Sequence, residues 1–141
     1  MMCGLLVIAA LIIIASPVGM YHAAEHMTAN AFESGLNLTL ENVRKQPRVH
    51  KDCGTNLVVC IVLCFSVLTL IFGDSVLVFL VSWSIGYEMW KNEPKVIWDV
   101  ILIIGKVSQY LLFTTKPQDK HLMVAIEALT RLEEKELVNE R

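Results

Sequence analysis

Between Leu57 and Trp90 the chain has no basic residue and only two acids, Asp74 and Glu88. As one helix that stretch would be about 50 Å long at 1.5 Å per residue. The hydrocarbon core of a bilayer is only about 30 Å thick. The shortage of charge therefore excludes one straight span and predicts two, with the chain turning at Gly73-Asp74-Ser75. A broad basic surface is missing as well. Lys and Arg number 12 against 14 Asp and Glu, for a net charge of -2, so nucleic acid is not an expected partner. Outside the apolar runs roughly 60 residues remain, too few to bury a separate soluble core without staples. No nucleophile–base pair, phosphate loop, CxxC or haem signature is present, nor any internal repeat. No catalysis and no cofactor are expected.

A secreted disulfide framework is also absent. Cys60 and Cys64 lie one helical turn apart within an apolar run. That spacing holds their Cβ atoms about 6 Å apart, beyond the roughly 3.8 Å of a disulfide. They read as small apolar-like core side chains. Cys3 lies near the start of the sequence, and Cys53 falls just before a span.

What is present is hydrophobicity. Apolar residues make up 55% of the 141, and the mean hydropathy is +0.54, above the share of an ordinary soluble domain. The expected fold is all-α, a small multi-pass transmembrane bundle of four helices with an amphipathic C-terminal helix. Residues 1–20 read as a first transmembrane helix or a signal sequence, the retained helix being favoured because a basic n-region is lacking. Residues 21–55 read as a polar loop with balanced charges. Residues 56–114 read as a helical hairpin, Leu57–Phe72 and Val76–Trp90, plus a final span, Val96–Phe113. Trp83, Tyr87 and Trp90 gather toward one end of the hairpin, as interfacial aromatics do. Residues 115–141 read as an amphipathic tail, with Leu122, Ile126, Leu129 and Leu132 at helical spacing. That tail suits a membrane surface or a partner helix.

Sidedness stays open. With four spans, the first loop and the Lys91–Lys95 turn share a side that carries six Lys/Arg, which places that loop in the cytosol. A cleaved signal would instead make the loop lumenal. The glycosylation candidate Asn37, in Asn37-Leu38-Thr39, is usable only in the second case.

Three residues of the last span are the candidate partner-binding set. Asp99 and Lys106 are seven apart on one helix face, about 10 Å apart along the axis, and Gln109 adds polarity nearby. Charges at that depth cost roughly 3 kcal/mol each on insertion scales and normally face a bundle interior or water. Asp74 reads as a turn former. His22-Ala23-Ala24-Glu25-His26 matches the H-x-x-E-H pattern of inverted zinc peptidases. It lacks a substrate-binding domain, and Glu33 or Glu41 would have to supply a third ligand. A solvated helix end is the preferred reading, and no metal is expected.

The layout also resembles the DoxX-like family, in the branch that contains the nicotinic acetylcholine receptor chaperone. The last span carries most of the resemblance: Glu93-Pro94, then Gly105, then Tyr110-Leu111-Leu112-Phe113, then Lys116-Pro117-Gln118-Asp119. Gly54, Cys60 and Gly19 also match. His22 and Leu57 depart from the family's Lys and Glu, and the link between the second and third helices is shorter. The resemblance implies a non-enzymatic, four-helix protein of the endoplasmic reticulum membrane that assists folding or assembly of a receptor or channel. A quinone-linked or redox-associated subunit and a small transport component are the alternatives. In each reading the bilayer is a partner, and in the first a membrane protein is another.

Overall fold

The computed structural model describes residues 11–13 and 16–139. The expectation for residues 1–20 therefore lies mostly outside the described residues. Among the described residues from Val18 on, six α-helices follow in order: α1 (Val18–Glu33), α2 (Leu40–Arg44), α3 (Thr55–Phe72), α4 (Val76–Asn92), α5 (Lys95–Ser108) and α6 (Asp119–Asn139). A five-residue π-helical turn, Gln109–Phe113, comes directly after α5. No strand occurs among the described residues. The chain forms two compact units, residues 51–108 and residues 1–50 with 109–141.

The unit of residues 51–108 is built on the α3–α4 hairpin. Its turn is Gly73-Asp74-Ser75. Gly73 has φ of 80°, which a residue without Cβ adopts at no steric cost, and its N–H bonds the Thr69 carbonyl at 2.9 Å. Ser75 then caps α4, its hydroxyl accepting from Val78 N at 3.2 Å. The inward face of α4 is Val78, Ser82 and Gly86. Ser82 donates to the Val78 carbonyl at 2.6 Å, so its hydroxyl is satisfied within the helix. At Gly86 a Cβ would stand 2.8 Å from Ile61 Cα, so only glycine lets the two backbones come this close. The small-xxx-small pair Ser82/Gly86 thus sets the helix spacing. Gly105 of α5 instead leaves room for a side chain, since a Cβ there would collide with Asn56 Oδ1. Val59, Cys60 and Ile101 form the apolar centre, with Met89, Trp90 and Trp98 around it. Cys60 and Cys64 are free thiols.

Two stretches are long and apolar enough to cross a membrane: Thr55–Phe72, of mean hydropathy 2.5, and Lys95–Phe113, of 1.7. This corrects the four-helix expectation to two candidate spans among the described residues. α4 is the shorter and less apolar helix of the hairpin. It has only 17 residues, and its last turns carry Tyr87, Glu88, Lys91 and Asn92. The two candidates do not resemble core helices of a soluble domain, because only 28% and 17% of their apolar windows are buried. Leu70, Phe72, Val76 and Val96 are largely exposed.

The other unit packs α1, α2 and α6 around Ala24, Met27, Ala31, Val43 and Leu122. Residues 21–55, read from the sequence as a polar loop into which the first helix could continue over 22–33, contain α1 from its fourth residue on and all of α2. The buried stripe was inconspicuous because it is made of alanine, methionine and threonine rather than large aliphatics. Thr39 caps α2, accepting from Asn42 N at 3.3 Å. Lys45 reaches Glu41 at 2.7 Å, and that hydrogen bond and charge hold the Glu41 carboxyl below its ordinary pKa. The tail is helical as expected. Leu122, Ala125 and Ile126 pack into this core, while Leu132, Leu137 and Val138 stay exposed.

The close approach at Gly86 gives a direct test. Gly86→Ala should destabilise the hairpin by roughly 1–3 kcal/mol, read as a lower unfolding midpoint of the detergent-solubilised protein. Gly54→Ala, where a Cβ meets nothing within 4 Å, should change it far less.

Candidate functional site

Three buried polar side chains of the 1–50/109–141 unit, His26, His50 and Gln109, meet in one network. It starts from α1, where His22 and His26 lie one turn apart and share a face. The segment Pro47–His50 runs alongside. Asn30 pins it with two bonds from its side-chain amide, to the carbonyls of Pro47 (2.9 Å) and Val49 (3.0 Å). His26, 6% exposed, places Nδ1 2.9 Å from the Arg48 carbonyl. Its Nε2 stands 2.9 Å from His22 Nε2. The His50 ring lies 5.9 Å from that of His26, and its Nε2 is 3.0 Å from the Glu33 carboxylate.

Gln109 fastens this segment from the π turn. Its Nε2 donates to the His50 carbonyl at 3.0 Å, and its Oε1 accepts from His50 N at 2.8 Å. The amide thus acts as a backbone strand would, satisfying both groups of a buried residue. Thr114 donates to the Gln109 carbonyl at 2.8 Å and stabilises the wider turn. The next residue, Tyr110, takes the Arg48 guanidinium over its ring at 3.8 Å and a bond from Arg48 Nη2 to its carbonyl at 3.2 Å. A π turn advances the chain by one residue more than an α turn, and such turns often mark functional sites. Here it sets Gln109 and Tyr110 side by side against residues 48–50.

The predicted residues separate. Gln109 is fully buried within this network and holds a chain segment rather than a partner helix. Asp99 and Lys106 belong to the other unit. Both are exposed, and neither forms an ion pair among the described residues. At 100° per residue they lie on the side of α5 opposite Ile101 and Gly105, the residues it buries. Asn37 is exposed, its carbonyl accepting from Thr39 N at 2.7 Å and Asn42 Nδ2 at 3.0 Å. The His22–His26 stretch is no solvated helix end, as its sequence suggested, because residues 47–50 cover it. Glu25 leaves the histidine face and lines an apolar groove with Tyr21, Val124 and Leu129. The general base of a zinc peptidase is thereby lost. Arg48 and His50 were missed altogether, since nothing local marks residues whose partners lie 59 or more positions away.

A family model described as "Protein of unknown function (DUF1385)" matches residues 2–135. The chain belongs to this family. A curated relative, "Uncharacterized protein YqhQ" of Bacillus subtilis (strain 168), is 31% identical over 134 residues, which is 86% of this chain and 42% of the relative. The chain thus spans about two-fifths of that relative's length. No solved structure matches. Membership overturns the resemblance to DoxX-like proteins and the receptor chaperone. That resemblance rested on short pieces such as Lys116-Pro117-Gln118-Asp119 and single glycines, and on a four-span layout of which the described residues show two candidate spans. The endoplasmic reticulum and receptor assembly lose their ground with it, the relative being bacterial.

Removing the Gln109 amide leaves two buried backbone groups of His50 without partners. Gln109→Leu should cost about 2–5 kcal/mol in the chemical unfolding of the detergent-solubilised chain. Gln109→Glu, which keeps an acceptor for His50 N but no donor, should fall between that variant and wild type.

Proposed function

We propose that this DUF1385 member is a non-enzymatic, membrane-embedded accessory protein that binds the transmembrane helices of a partner protein through the outer face of α5. The observation that supports it is the exposure of Asp99 and Lys106 on a helix otherwise suited to lipid. Ile103 and Val107, 62% and 51% exposed, flank Lys106. Asp99 sits one turn inside α5 and is close enough to the span's end to reach the headgroups. Lys106 is near the middle of the Lys95–Phe113 span. There a charge costs roughly 3 kcal/mol on insertion scales unless it is matched. An acidic or amide side chain on a partner helix supplies the match. A second copy in the same orientation would pack α5 parallel to α5 and oppose like charges, so a different membrane protein fits better. The apolar groups exposed on α3 and α5 serve as the lipid-facing surface.

Purification in mild detergent followed by mass spectrometry tests this reading. A membrane protein should co-purify with wild type and be at least several-fold depleted with Lys106→Leu. Identical background recovery from both would remove the reading.

A further inference from the structure

We propose that His22 and His26 form a binding site for one late first-row divalent ion, of the zinc or nickel class. The geometry begins with tautomers. The Arg48 carbonyl can only accept, so the His26 Nδ1 at 2.9 Å carries the proton. In neutral His26 the Nε2 lone pair is then free to ligate, and this Nε2 points at His22 Nε2, 2.9 Å away. Two nitrogens bound to one ion at about 2.0–2.1 Å are about 2.9–3.4 Å apart for angles of 90–110°. The separation therefore suits a shared ion without moving the helix. A backbone carbonyl behind the ligating ring is the usual outer partner of a metal-bound histidine, fixing its tautomer and its orientation.

The surroundings favour a cation of this class. The His50 ring packs beside that of His26, and the Glu33 carboxylate on His50 adds negative charge one ring away. Imidazole donors select zinc, nickel and copper over magnesium or calcium, which prefer oxygen. His22 is only half-buried and gives an ion a way in. His26 is held on two sides, by its own helix and by the segment that Asn30 and Gln109 anchor, so one ligand is preorganised.

The test titrates Zn²⁺, Ni²⁺ and Mg²⁺ separately into the full chain, purified in detergent and stripped with chelator, by calorimetry. Wild type should bind one equivalent of Zn²⁺ or Ni²⁺ and no Mg²⁺. His22→Gln and His26→Gln should each weaken binding by at least about tenfold. His121→Gln, whose ring lies instead against Tyr21, should leave binding unchanged. Circular dichroism checks the fold. Should His26→Gln lose helicity, the half-buried His22→Gln decides. Wild type that binds neither Zn²⁺ nor Ni²⁺, or His22→Gln that binds as well as wild type, overturns the proposal.

Discussion

The Gln109 side chain closes on both backbone groups of His50, and the polar interior of its unit depends on that clasp. Without it, residues 47–50 would keep their contacts with Asn30, His26, Tyr110 and Glu33 but lose the bonds that fix the His50 backbone. With it, the Arg48 carbonyl is fixed behind His26, and His26 is fixed facing His22. One neutral amide thus converts a coil segment into a rigid wall against α1. It does so cheaply, because each hydrogen bond satisfies a group that would otherwise be buried and unpaired.

The two units solve different problems. In residues 51–108 the difficulty is to bring backbones together where solvent gives little help, and the answer is small residues. Gly86 against the Ile61 backbone and the self-bonded Ser82 are steric devices more than energetic ones, and Gly105 makes room for the Asn56 side chain. In the other unit the difficulty is to bury histidines, threonines and an amide, and the answer is a partner for each. Among the described residues Asp99 and Lys106 fit neither solution, and that mismatch motivates a partner helix.

Much of the 51–108 unit was legible in the sequence. The turn at Gly73-Asp74-Ser75 declares itself through turn-forming residues between apolar runs, and the helix after Pro94 was visible in the same way. The number of spans was not legible from apolar content alone, because α4 spends its last turns on Glu88, Lys91 and Asn92. The histidine network was nearly invisible. Its contacts join α1 to residues 47–50 and to the π turn, and no local periodicity reports such long-range pairings. Gln109 was noticed for its polarity in an apolar helix, which is a sound signal, but its partner was misassigned. The family resemblance failed because short motifs of common residues carry little information without the arrangement that contains them.

The most direct test of the clasp is residue-resolved amide hydrogen exchange at His50. The account predicts slow exchange at the His50 N–H in wild type and exchange accelerated at least about tenfold in Gln109→Leu, with the α3–α4 hairpin amides unchanged. Rapid exchange at His50 in wild type, or the same slow rate in both proteins, would contradict it.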